Sequence, residues 1–528
     1  MQSPATSLEA LEPKLLKDEI QFFETWVRAL PEPQEQPIEA IVKLMLGNQL
    51  LKRDIAVLEQ SARELPTQAV LLQLCIARAR RRIHLWMTFP INRLPTEILL
   101  HIFELALLMI PPTRMTITRL SLIHVCSQWR AIALSRPSLW SNIPVIDRSP
   151  FRVSQMCFSL AKSTPLVLWV DRRDPTWDGN EDAQAQAVDM NAIMDIVVPR
   201  VGHTREIHLT ADTWTATLIA LSRLRDAPAP LLLESFSIIR SGNPYVQLGP
   251  GFTPAEFHTP VVLFGGTAPR LTHVRLEGVH VDWARSPLRN LHSLDLRKMA
   301  MEVMIPLPAF RDMLRGSPLL KTITFAGSGP KWMPAELPAW SRVTLANLLT
   351  LNIASVMVEY AEYVLDLFSA PRLRQLSLAK IRGFYASMVK KLTSAYPELT
   401  TLILDEFYIQ DTPESREVIS KWMRSMPKLR HLKLRNFSGC LFICLLSKTQ
   451  PVEHPRRSLT VVCPHLESLH LEDVNYQAVY NFVLGRASMN AGIRCLILRW
   501  VQTDMFTSEQ MMLLRLVVPS VIMEDHRT

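Results

Sequence analysis

One short apolar pattern, L-x-x-L-x-L, limits this chain more than any other feature. It reads "LTHVRL" at 271, "LHSLDL" at 291, "LKTITF" at 320, "LLTLNI" at 348 and "LRQLSL" at 373. It continues as "LTTLIL" at 399, "LRHLKL" at 429, "LESLHL" at 466 and "IRCLIL" at 493. "TREIHL" at 204 and "LESFSI" at 233 fit with one weak position each. The intervals run from 20 to 38 residues, the spacing of an architecture built by stacking one supersecondary unit on the next. Alternation at the end of each unit predicts a short strand with one buried face.

A proline stands two residues before six of these units, at Pro269, Pro318, Pro371, Pro397, Pro427 and Pro464. Proline disfavours helix in the residue before it, so each marks where a preceding helix stops and the chain extends. The intervals hold amphipathic stretches such as "VEYAEYVLDLFSA", "FYASMVKKLTSAY" and "SREVISKWMRSM". Strand, turn and helix in repetition predict an α/β solenoid of irregular leucine-rich repeats over residues 150–528. "PLVLWVD" at 165 starts it, after a helix in "VSQMCFSLAKS", and the long intervals at 233 and 429 carry loops. The asparagine of the most regular leucine-rich repeats is missing.

Such a solenoid offers its outward strand residues as a concave binding surface. These are the third, fifth and seventh residues of each unit. Arg275, Arg297, Lys433, Arg435 and Arg499 stand there against Glu206, Glu277, Asp295, Asp405 and Glu472, beside His208, His273, His431 and His470. A nucleic-acid groove is one-sidedly basic. Balanced charges favour a protein ligand, with His273, Arg275, Asp295, Arg297, His431, Lys433, Arg435, His470 and Arg499 as the candidate contacts.

The 528 residues carry a net charge of +9 and are 48% hydrophobic, enough for large cores and too mild a charge to demand an acidic partner. Seven scattered cysteines read as reduced thiols of a cytoplasmic or nuclear protein rather than a disulfide framework. No secretory signal and no eighteen-residue apolar window are visible, so no membrane is expected. Residues 1–89 are read as a helical, coiled-coil-like region. From Leu51 to Trp86 apolar or small residues step by three and four, a heptad seam that Pro66 interrupts. A folded-back hairpin and self-association are both compatible with it. "ARARRRIH" (77–84) reads as a solvated basic helix face, or as a nucleic-acid contact.

Residues 90–142 form a separate all-α segment. In "PINRLPTEILLHIFELAL" an apolar Leu94 occupies the expected cap position, with Pro95 opening the helix, although caps are normally polar. "IPPT" ends that helix. A second follows in "TRLSLIHVCSQWRAIALSRPSLW", with Leu122, Val125, Cys126, Trp129, Ile132 and Ala133 on one face. So few residues build little core alone, and Leu94, Leu139 and Trp140 are expected to fill a partner's pockets.

The ordered set L-P-x-E-I-L, V-C-x-x-W-R and P-x-L-W in this segment resembles an F-box, the motif that docks onto the Skp-type adaptor of cullin–RING ubiquitin ligases. With its leading heptad helix and trailing repeats, the chain resembles the large F-box protein families of mushroom-forming fungi. The resemblance implies adaptor contacts at Leu94, Pro95, Ile98, Leu99, Ile102, Val125, Trp129, Leu139 and Trp140, some of them internal core. It implies a substrate-recognition subunit whose repeats hold a target protein while other subunits perform catalysis.

No phosphate-binding loop, dinucleotide fingerprint or metalloprotease motif occurs, and no cofactor or metal is expected. "FGGTAP" (264–269) reads as a loop. "CLFIC" (440–444), near Cys463 and His465, reads as buried thiols because zinc sites want tighter ligand pairs. A leucine-rich scaffold without a degradation role is the alternative, a nucleic-acid binder a weaker one, and an enzyme is not expected.

Overall fold

The computed structural model describes Ala77, Ile91 and residues 94–174, 176–177, 184–242, 259–407, 412–436, 440–446, 461–472, 474–499 and 507–524. The N-terminal helical region and its basic cluster lie outside the described residues, Ala77 excepted. The chain divides into two compact units, Met1–Trp169 and Val170–Thr528.

In the first unit, helix α1 (Thr96–Leu108) is capped by Pro95 itself, not by Leu94. No side chain caps it. The Pro95 carbonyl accepts from the Ile98 and Leu99 amides at 3.0 and 3.1 Å, so the proline sets the entry and its oxygen closes the first turn. Helix α2 (Pro112–Val125) starts with proline at its first position, where the missing N–H costs no hydrogen bond. The expected single second helix is broken. Cys126 is fully extended (φ −155°, ψ 172°), and its sulfur accepts from the Trp129 amide to cap helix α3 (Ser127–Ser135).

A short 3₁₀ turn, Pro137–Trp140, follows α3. Then come strand β1 (Asn142–Val145), helix α4 (Arg152–Ala161) and strand β2 (Leu166–Arg172). The Phe103 and Trp129 rings pack with centroids 4.7 Å apart. Trp140 Nε1 donates to the Ala133 carbonyl at 2.8 Å, and buried Arg119 donates through Nε to the Leu139 carbonyl at 2.7 Å and through Nη2 to that of Asn142. That arginine fastens the tryptophan turn to α2 through backbone carbonyls.

The second unit is a parallel ladder. Its strands are β3 (Thr204–Ala211), β4 (Ser235–Arg240), β5 (His273–Glu277), β6 (Ser293–Arg297) and β7 (Thr322–Ala326). After a separate two-residue β8 (Val343–Thr344) come β9 (Thr350–Ala354), β10 (Phe368–Ser369), β11 (Gln375–Ala379), β12 (Thr401–Asp405) and β13 (His431–Arg435). The ladder ends with β14 (Ser468–Glu472), β15 (Cys495–Arg499) and β16 (Ser520–Glu524). The short β8 and β10 pair only with each other. Every quoted repeat is a strand; all begin at the third residue of the unit except β3, which begins at the first. Leu294, Ile323, Leu351, Leu376, Leu402, Leu432, Leu469, Leu496 and Val521 stand level across neighbouring strands and are buried. β16 escaped the sequence pattern because Val518, Val521 and Met523 replace its leucines.

Two local devices build each repeat. The six prolines sit at the second position of hydrogen-bonded turns, such as Leu373 N–H to Ala370 O at 3.2 Å and Leu399 N–H to Tyr396 O at 3.2 Å, the place their fixed φ suits. They shape the turn as well as stopping a helix. At the other end, the eighth residue turns the chain with positive φ in seven successive repeats: Gly278, Lys298, Gly327, Ser355, Lys380, Glu406 and Asn436. From Gly278 to Glu406 each of these amides donates to the next strand's last carbonyl at 2.8 to 3.1 Å.

The helices α5 (Gln184–Val197), α6 (Trp214–Arg225), α7 (Leu307–Arg315), α8 (Val358–Leu367), α9 (Tyr385–Leu392) and α10 (Pro413–Arg424) fill intervals between strands. They are joined by α11 (Cys440–Leu446), α12 (Tyr476–Ser488) and α13 (Ser508–Val517). Side chains of Thr213, Thr412, Asn475 and Thr507 cap four of them. Between β5 and β6 the interval is too short for a helix, and residues 278–292 form turns.

Candidate docking surfaces

The first surface lies on the first unit. Of the sequence-predicted contacts, Leu99, Trp129, Leu139 and Trp140 are buried inside the unit's own core. Leu139 and Trp140 were expected to fill a partner's pockets; they fill this chain's interior instead, because the 3₁₀ turn folds them back under α2 and α3. Leu94, Ile102 and Val125 are half-buried and Pro95 is exposed. Ile98 is 48% exposed.

Several exposed apolar side chains were not among the predicted contacts: Leu105, Leu108, Met109, Ile117 and Leu134. Leu108 and Ile117 are 74% and 66% exposed. A signal for them exists in α1. Leu99, Phe103, Ala106 and Ile110 make one helical stripe and are buried. Ile98, Ile102, Leu105 and Met109 repeat the same four–three–four steps one residue earlier. Two adjacent apolar stripes are wider than the face a small helical unit needs for its own core. Fully covering one such side chain is worth roughly 1.5–3 kcal/mol, so the second stripe is unfinished surface.

The second surface is the face of the ladder opposite the leucine rows. Arg275, Glu277, Asp295 and Arg297 come together as one network. Arg275 reaches Glu277 at 2.7 Å and Asp295 at 3.7 Å, Arg297 reaches Asp295 at 2.7 Å, and Lys298 reaches Glu277 at 2.8 Å. Burial works to raise the Glu277 pKa, but hydrogen bonds from Lys298 and Arg275 and their charges hold it below the ordinary glutamate value. The hydrogen bond to Asp295 raises Arg297 against its own burial. At the other side of the ladder's start, Glu206 is lowered chiefly by its hydrogen bond with His208, 3.4 Å away.

The four histidines do not gather. His273 is exposed, with Nδ1 2.9 Å from the Thr272 hydroxyl, His208 and His431 are half-buried, and His470 is buried. His470 was expected as an exposed contact; packed between β13 and β15 it is not one.

Further along, Asp405 accepts from the Asn436 side chain, and buried Glu472 accepts from the Asn436 backbone amide. Glu472 also lies 3.7 Å from Arg499. Lys433 and Arg435 form no ion pair or hydrogen bond among the described residues, and Arg435 Nε is shielded from solvent without an acceptor.

Other features carry no site. The glycine pair lies in a short 3₁₀ turn, Leu263–Gly266, with Phe264, Gly265 and Gly266 at positive φ. Burial pushes the Cys463 thiol up to about 12 and raises Cys157, which leaves both protonated and poorly nucleophilic. The side chains of Cys440 and Cys444 lie outside the described set. Among the described residues no group of three or more His, Cys, Asp or Glu is placed to hold a metal ion, and no helix is long and apolar enough to cross a membrane.

Compared with known families, residues 91–143 match the F-box-like model. The matched stretch contains α1 to α3, the tryptophan turn and the first two residues of β1. No curated protein matches the chain.

Proposed function

We propose that this chain is the target-recognition subunit of a Skp–cullin–F-box type ubiquitin ligase, acting in the cytoplasm, the nucleus or both. The F-box-like unit docks on a Skp-type adaptor, and the parallel ladder, read as an irregular leucine-rich-repeat solenoid, holds the target protein. The chain performs no catalysis in this reading. It supplies proximity, holding target lysines near a ubiquitin carrier borne by other subunits. The second apolar stripe of α1 supports the reading most directly: a unit with a filled core keeps Ile98, Leu105 and Met109 of that stripe, and Leu108 beside it, in water.

Capture of purified Skp-type adaptor by the full chain tests this. Wild type is expected to retain adaptor, and Leu94→Ala with Pro95→Ala, or Ile98→Asp with Leu108→Asp, to lose it while the fold is unchanged. Failure of wild type to bind adaptor overturns the proposal. Binding with no target stabilised when the ligase is blocked would make the chain a scaffold instead.

A further inference from the structure

We propose that Lys433 and Arg435, on the open face of β13, seat an oxyanion carried by an acidic or phosphorylated segment of the bound protein. The assignment of that protein as a ubiquitylation target rests on the function proposed above; the binding chemistry does not.

The two charged clusters on this face differ in one respect. Around β5 and β6 every described carboxylate is met by a cation of the same cluster, so the network is closed on itself. Around β13 the carboxylates are already taken, Asp405 by the Asn436 side chain and Glu472 by the Asn436 amide and Arg499. The two cations between them keep no described partner. Level with Lys433 stand Ile403 on one side and His470 on the other, neither of them an anion; Arg435 stands level with Asp405, which the Asn436 side chain holds instead.

The ladder itself changes here. β12–β13 and β14–β15 pair over five residues, but β13–β14 pairing ends at Lys433 and His470. Asn436 therefore meets no neighbouring carbonyl, unlike its counterparts in earlier repeats, and takes the Glu472 carboxylate instead. Arg435 borders this opening, with Nε enclosed and lacking an acceptor. Lys433 and Arg435 are two apart on one strand, so their side chains rise from the same face about 7 Å apart. A guanidinium fork beside an ammonium suits an anion with several oxygens.

As far as β11 the approach to this seat is uncharged: β7, β9 and β11 present Thr324, Asn352 and Ser377 in one row and Ala326, Ala354 and Ala379 in the next. On β12 an extended segment passes Asp405, held by the Asn436 side chain, and it then reaches Lys433 and Arg435, cations with no described partner. Two cations on one strand do not form the long basic track that nucleic acid requires, which favours a protein segment.

Fluorescence anisotropy on the full chain, without adaptor, tests the assignment. The probes are labelled peptides alternating glycine with phosphoserine, glutamate or unmodified serine, and a single-stranded RNA of equal length. The phosphoserine or glutamate peptide is expected to bind about tenfold tighter than the serine peptide, the scale of one charge-assisted hydrogen bond. Preference for phosphoserine over glutamate would assign a phosphorylated source, and equal affinity a carboxylate one. Lys433→Met and Arg435→Met should each remove most of the preference, Lys433→Arg should retain it, and Arg223→Met, on the exposed face of α6, should leave it unchanged, all with wild-type thermal midpoints. Equal binding of the serine peptide, tighter binding of the RNA, or equal loss in Arg223→Met would each overturn the proposal. Because adaptor capture is read separately through Ile98 and Leu108, failure of either proposal is distinguishable from failure of the other.

Discussion

The two units solve the problem of burying leucine in opposite ways. In the ladder, each repeat leucine is covered by the strand and helix of its neighbours, so Leu376, Leu402 and Leu432 are all at 0% exposure. In the F-box-like unit the interior is just as dry, with Leu99 and Phe103 at 0%, yet large apolar groups on all three helices remain in water. A stack completes itself by repetition. The small helical unit completes its core and then has apolar surface to spare, and that difference marks the surface the proposed adaptor would cover.

Truncation tests the contrast most strongly. Leu402→Ala should cost about 2–5 kcal/mol of stability, because a buried leucine leaves a cavity among level neighbours. Leu108→Ala should stay within about 0.5 kcal/mol, as surface changes do, while weakening adaptor capture. Equal destabilisation in urea unfolding would erase the distinction.

Next in size is a device both units share. Arg486 in α12 donates to the Ala491, Val462 and Cys463 carbonyls at 3.0, 2.9 and 2.8 Å, as Arg119 does in the first unit. Burial lowers the pKa of both arginines, against the opposing influence of a nearby cysteine. Arg486→Met strands three carbonyls and should cost about 1–3 kcal/mol or more. A thermal midpoint unchanged from wild type would show that water replaces the guanidinium.

A smaller effect follows from the closed charge network around Glu277. Glu277 has a folded pKa below its ordinary value of 4.5, so the folded state binds its proton less readily than the unfolded chain. Its contribution is complete above that value and is lost as pH falls through the folded pKa. Urea midpoints should therefore drop more steeply below about pH 4.5 for wild type than for Glu277→Gln; parallel curves would remove the linkage.

The smallest concerns the eighth residue of each repeat. Ser355 and Lys380 hold φ of 56° and 52°, a region unfavourable for any side chain with a Cβ. Ser355→Gly relieves that strain but loosens the unfolded chain, and a net gain of about 0.5–1 kcal/mol is expected. A loss would mean that the serine side chain, not the turn, governs the position.

Much of this architecture was legible because it is periodic. Alternation indicated which face of the repeat strands is buried, and six prolines announced their strands four residues ahead. The pattern failed where chemistry substituted for identity, as at Val518, Val521 and Met523 in β16. It also failed where a single dihedral decided the outcome: nothing apolar or polar about Cys126 signals that it breaks α2 from α3. For the docking surface the family motif located the unit, but apolar type alone cannot separate Leu99, which is core, from Ile98, which is not. On the open ladder face, counting five cations against five anions suggested balance. Position shows that the balance holds at β5 and β6 and not at β13.

The pairing of like position with like position has a consequence for how the molecule can vary. Gln375 stands level with Thr350 on one side and Thr401 on the other, each the third residue of its unit. Because the offset between neighbours is zero, a whole repeat is an interchangeable part. Deleting residues 373–398 would bring Leu399 to the place of Leu373, and Thr401 to face Thr350, without turning any side chain to the wrong face. A change of one residue within a strand would turn them all. Length in this ladder is therefore quantised: it can be revised by complete modules, and the surface it offers a ligand can be lengthened, shortened or reshuffled in the same steps.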